Sequence, residues 1–153
     1  MKKIAELIGW AFLHLMVACS SVTPQWQPTA VTDFKSVAGK WEGFLTADDP
    51  RALRFDRATL VIDDTGVCET AITRTITKMP VHYDTLDVFA EKAQLVLIGG
   101  KLSATFEKGG RMTVQLYVDP ASGERMLKAQ GKNSKGFSYL ADLKRTGNSA
   151  SAK

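Results

Sequence analysis

Histidine and cysteine are nearly absent from this chain, which holds two of each. A multi-histidine metal site therefore lacks its ligands, and a Ser-His-Asp triad would have to be built on His82, the only histidine outside the N-terminal apolar stretch. Two cysteines, Cys19 and Cys68, allow one disulfide at most and exclude a disulfide framework. No Gly-rich phosphate loop, HExxH or CxxC occurs. Charge of a single sign is also scarce: 20 basic and 16 acidic residues are interspersed, so the net +4 is no nucleic-acid footprint. Nor does any apolar run reach the roughly 20 residues that span a bilayer as a helix. These absences leave no catalytic motif, no metal site and no cofactor site, and the expectation is a protein that is not an enzyme.

The organised beginning is the first feature that is present. Lys2 and Lys3, the apolar stretch Leu7–Ala18 and small residues around Cys19 form the three-part layout of a secretory signal. A buried N-terminal helix is the alternative, but between Leu7 and Ala18 only His14 breaks the apolar run, which is not the 3.6-residue alternation of a core helix. Met16-Val17-Ala18-Cys19 resembles the lipobox of bacterial lipoproteins. That resemblance implies removal of residues 1–18, acylation of Cys19 and a lipid bilayer as partner; Ser20, where an aspartate would signal inner-membrane retention, implies the outer membrane, facing the periplasm. A plain cleaved signal ending near Ala18 remains open. With Cys19 bonded to lipid, Cys68 has no disulfide partner, and its place on one face with Ile72 predicts a buried thiol.

Residues 19–36 are rich in Thr, Pro, Gln and Ser without periodicity and read as a flexible tether. Trp26 within it either docks on the domain or touches lipid headgroups. From 37 to 146 the pattern is strands separated by turn signals. Trp41, Gly43 and Leu45 alternate with polar residues, as do Ala58, Leu60 and Ile62, and Asp63-Asp64-Thr65-Gly66 is a hairpin turn with glycine where a positive φ is needed. Leu102, Ala104 and Phe106, then Met112 to Val118, Leu127 and Ala129, and Phe137 to Leu143 continue the alternation. Residues 81–88 read as a strand, with a helical turn to 92 as the alternative, because Leu86, Phe89, Ala90 and Ala93 also fit a helix. Residues 147–153 read as a disordered tail. Consecutive hairpins of this kind form an antiparallel up-and-down meander, and closure into a small β-barrel of about eight strands removes its edges.

Gly39-Lys40-Trp41 on the first barrel strand and Arg145 closing the last resemble the lipocalins and the wider calycin superfamily, in which an arginine of the last strand packs over that tryptophan. The resemblance implies a lipocalin-like barrel holding a small hydrophobic ligand, with Trp41, Leu60, Ile72, Phe106, Leu116 and Tyr139 lining the interior. Trp41-Glu42-Gly43 is also similar to small haem-binding barrels of this type, but their axial histidine has no counterpart here. The same six residues equally suit a filled core, in which case the chain is an envelope protein–protein interaction module, an inhibitor or an assembly accessory. Asp48/Asp49 and Asp63/Asp64 are read as turn residues capping backbone amides rather than as acid–base pairs. His82-Tyr83-Asp84 is read as a solvated loop.

Overall fold

The computed structural model describes residues 23–47, 56–78 and 82–146, with the backbone alone for 75–78 and 82–88. The described chain is all-β, with strands β1 Gln27–Thr29, β2 Gly39–Ala47, β3 Arg57–Ile62, β4 Val67–Lys78, β5 His82–Gln94, β6 Val96–Ile98, β7 Lys101–Thr105, β8 Gly110–Val118, β9 Arg125–Asn133 and β10 Ser138–Arg145. Its pairs are antiparallel and follow chain order from β2 to β5 and from β6 to β10, after which β10 returns to β2, placing Arg145 opposite Trp41 and Tyr139 opposite Ala47. This is the expected meander, nearly closed into a barrel.

The ring has one discontinuity. β5 pairs with β4 and β6 with β7, and the two run on in one direction with Leu95 between them. They share a single strand position, so the barrel has the expected eight positions, with a seam where β5 passes β7 without a ladder. The hydrophobic alternation explains the rest: Trp41 and Leu45, Ala58, Leu60 and Ile62, Leu102 and Ala104, Met112, Val114 and Leu116, Leu127 and Ala129, and Ala141 and Leu143 are all buried inside. At the β3–β4 turn, Asp63 Oδ1 accepts the backbone N–H groups of Thr65 and Val67, both at 2.9 Å, and Gly66 takes φ +87°. The Thr65 hydroxyl also donates to Oδ1, and with the two backbone bonds it holds the Asp63 carboxyl below its ordinary range. From His82 to Lys92 the backbone is a strand, not a helical turn. Ile72 faces Phe89 while Thr73 faces Asp87, so Val88 is skipped in a bulge, and the shifted parity is what gave this segment its helix-like spacing. His82 therefore begins a strand rather than sitting in a loop; its side chain, with those of Tyr83 and Asp84, is outside the described residues.

The tether expected over 19–36 is corrected for its second half. β1 pairs with the far end of β8, Gln27 opposite Val118, and the Val31 N–H donates to the Gly100 carbonyl at 2.9 Å. Asp33 then caps a 3₁₀ turn, Phe34–Ser36, by accepting the Ser36 N–H at 2.8 Å. Val31 and Val37 are buried and Phe34 packs against the core, so three apolar residues in a polar-looking stretch are enough to dock it. Trp26 is half-buried. Cys19 and the rest of 1–22, Asp48 and Asp49 within 48–55, and the tail 147–153 lie outside the described residues. Among those described, no helix is long and apolar enough to cross a membrane.

The N-terminal segment closes one end of the barrel over Trp41, which is 0% exposed and donates its indole N–H to the Val37 carbonyl at 2.8 Å. Arg145 lies over the indole, its Cζ 5.8 Å from the ring centroid, and its Nη2 donates to the Ala38 carbonyl at 2.5 Å. Gly39, at φ +133°, leaves the room this needs, because a Cβ there would stand 3.1 Å from two guanidinium nitrogens. Gly39, Trp41 and Arg145 thus form one cluster, as the sequence pattern anticipates.

Candidate ligand cavity

Inward side chains change size along the barrel axis. Near the plugged end they are large: Trp41, Ile62, Leu95, Leu102, Val114 and Leu127 fill the interior. Toward the other end the same strands turn Ala47, Ala58, Thr70, Ala129 and Ala141 inward, and these cannot meet across a ring of eight strands. What remains is a cavity of about 450 Å³, open at the end formed by the β7–β8 and β9–β10 turns.

Four of the six residues expected to line the interior do so: Leu60, Ile72, Phe106 and Tyr139. Trp41 and Leu116 do not, since they lie in the filled half. Alternation tells which face a residue occupies but not its height, and height separates core from cavity.

The cavity wall also carries charge that the sequence reading missed. Arg74 and Asp56 form a bidentate pair on the wall, Nε to Oδ1 at 2.8 Å and Nη2 to Oδ2 at 2.7 Å, with Asp56 buried. The signal was available: Arg74 shares parity with Cys68, Thr70 and Ile72, and Asp56 shares it with Ala58 and Leu60. A second carboxylate, Glu91, shares the inward face of β5 with Phe89 and Ala93, its side chain only 6% exposed. Among the described residues its oxygens receive no hydrogen bond; Lys108 Nζ stands 3.5 Å from Oε1. Glu91 faces Thr70 across the ladder. Lys108 and Phe106 approach β5 across the seam, and Phe106 meets Phe89 edge to face at 5.6 Å between centroids. One ion pair and one aromatic pair therefore bridge the gap that no ladder spans.

Around the mouth stand Lys108, Lys132 and Lys135 with Ser134 and Asn133. Asn133 Oδ1 fixes the last turn by accepting the N–H groups of Lys135 and Phe137, both at 3.0 Å. Tyr139 reaches from the wall to donate its hydroxyl to the Arg111 carbonyl at 3.2 Å, and burial pushes its phenol up to about 12. Cys68 lies fully buried as a free thiol, and burial raises its pKa as well. Among the described residues no group of three or more His, Cys, Asp or Glu is placed to hold a metal. The arrangement offers shape, apolar surface and fixed charge. Compared with known protein families, with curated proteins and with solved structures, the chain matches none.

Proposed function

We propose that this is a non-catalytic, lipid-anchored lipoprotein of the bacterial envelope whose lipocalin-like barrel binds a small hydrophobic ligand. The observation that carries the reading is the cavity of about 450 Å³ behind an apolar wall, within the range of small-molecule sites. A barrel serving only as a stable scaffold gains from filling its interior, because each void forfeits dispersion contacts. Here one half is filled, and the other, where Ala47, Ala58, Ala129 and Ala141 stand among larger apolar residues, is not. The anchor rests on Met16-Val17-Ala18-Cys19 alone.

A second reading, a protein–protein interaction module of the envelope, is favoured by a different feature. Val96, Leu97 and Ile98 of β6 are all exposed, Ile98 at 63%, beside the seam.

Thermal unfolding in the presence of fatty acids, retinoid-like compounds and haem tests the first reading. A specific ligand at 100 times its dissociation constant is expected to add about 2.7 kcal/mol of stability. No shift with any of them, together with an envelope protein crosslinked through β6, would replace the carrier with the interaction module. In the same preparation Cys19→Ala is expected to leave the protein in the soluble fraction; a variant that still sediments with membranes removes the anchor from the proposal.

A further inference from the structure

Exposed apolar side chains are spread unevenly over the outside of the barrel. Among the described residues seven large ones are exposed, and five of them, Val61, Val67, Val96, Leu97 and Ile98, lie on β3, β4 and β6. Alternation turns four of these outward. Val61 stands between the buried Leu60 and Ile62, Val67 precedes the buried Cys68, and Val96 and Ile98 oppose Ser103 and Lys101, which flank the buried Leu102. The four form one strip: the Asp63 N–H donates to the Val67 carbonyl at 3.0 Å and Val67 faces Gln94, so Val67 is the diagonal neighbour of both Val61 and Val96.

The strip lies at the plugged end. Each of its residues is within three positions of the turn at 63–66 or the turn at 99–100, which is at most about 10 Å along its strand. The N-terminal segment touches both turns. The Val31 N–H is bonded to the Gly100 carbonyl, and the Phe34 ring packs so closely on Gly66 that a Cβ there would stand 2.7 Å from it. The strip therefore sits at the end from which the chain leads back toward Cys19. Its depth matches the roughly 5–10 Å to which an apolar face sinks into the headgroup boundary of a bilayer. Charge adds little, because Lys92 next to the strip is paired with Glu69 and Lys40 with Glu42.

We propose that this strip is a second membrane contact, set into the leaflet that holds the acyl group of Cys19. The proposal rests on the lipoprotein reading. An acyl anchor alone leaves the barrel free to swivel on its leader, whereas an anchor with an apolar strip beside it fixes which wall faces the lipid. So small a strip does not hold the protein by itself, so Cys19→Ala still leaves it soluble.

The test labels Val96→Cys, Ile98→Cys, Phe44→Cys and Leu140→Cys with an environment-sensitive fluorophore in the acylated chain, reconstituted into phosphatidylcholine vesicles that carry nitroxide lipids. Phe44 and Leu140 are the other two exposed apolar residues, on β2 and β10 across the ring from β6. The label has one target in each variant, since Cys19 is bonded to lipid and Cys68 is fully buried. The nitroxide is expected to quench the labels at 96 and 98 about threefold more than those at 44 and 140, at low and high salt alike. Two β6 positions are used so that a substitution that unfolds the chain leaves the other to decide. Four labels equally open to water-borne iodide, on acylated and vesicle-bound protein, overturn the strip and leave the anchor intact. Labels at 96 and 98 that are shielded from iodide and nitroxide alike, with dimers formed on crosslinking, give the strip to a second copy of the chain and overturn the bilayer contact. Protein that carries no acyl group on Cys19 and stays off the vesicles overturns anchor and strip together.

Discussion

Tyr139 ties the cavity wall to the backbone of a neighbouring strand. It lines the cavity, bonds across to the β8 backbone and ionises near 12 in the fold against about 10 outside it. Between those values the unfolded chain has already released a proton that the folded chain still holds, so this tyrosine's contribution to stability is complete below pH 10 and declines as pH rises toward 12. Tyr139→Phe is therefore expected to flatten part of the alkaline loss of stability in urea unfolding between pH 10 and 12, while costing a hydrogen bond at neutral pH. An unchanged alkaline slope would mean that the phenol is not held in its neutral form. At this scale the sequence was legible in part. The inward positions of Leu60, Ile72, Phe106 and Tyr139 followed from alternation, and so did the buried state of Cys68. Arg74 and Asp56 were equally readable by parity, but a charge at an inward position is costly unless paired, and the pairing joins residues on two different strands that the sequence does not bring together.

β5 and β6 are the least regular elements, and both irregularities have a cost in hydrogen bonding. A strand uses both edges only when it has two neighbours, yet β5 has β4 on one side and the seam on the other. Amide exchange is expected to alternate along His82–Gln94, slow where the N–H faces β4 and fast where it faces the seam, whereas β9, with β8 and β10 on its flanks, is slow throughout. Uniform protection along β5 would show that the seam is closed by a ladder. This is also the segment where the sequence reading stayed divided. A bulge that skips Val88 and a change of neighbour at Leu95 each reset the period of two, and two resets within a dozen residues imitate a helical spacing. Where pairing is unbroken, as from β7 to β10, expected and observed strands agree to within a few residues.

For the whole molecule, the division into a filled half and a hollow half makes the N-terminal segment a structural part rather than a leash. A chain beginning at Gly39 is expected to be less stable than one beginning at Thr23 by more than about 3 kcal/mol, because it loses the burial of Val31 and Val37 and uncovers Trp41. Chemical denaturation of the two forms measures this, and equal midpoints would show the segment to be a tether after all. Composition concealed it: polar residues and prolines dominate 23–36, and the apolar residues that dock are spaced too irregularly to register as an element. The eight-position ring was legible because hairpins announce themselves locally, while the cavity was not, since it depends on which inward residues share a height.

The backbone N–H of Gln25 reaches Asp119 at the plugged end, so the chain enters the barrel on the side opposite the mouth. Between Cys19 and Gln25 a fully extended chain reaches about 20 Å. The wall, measured along the nine residues of β8, is about 30 Å long and at the usual barrel tilt still stands more than 20 Å high. On the proposal that Cys19 is acylated, a barrel of that height would stand on its plug with its opening turned toward the aqueous compartment. If that barrel also carries a ligand, as proposed, the ligand would reach it from solution or from a facing surface, handed over rather than absorbed.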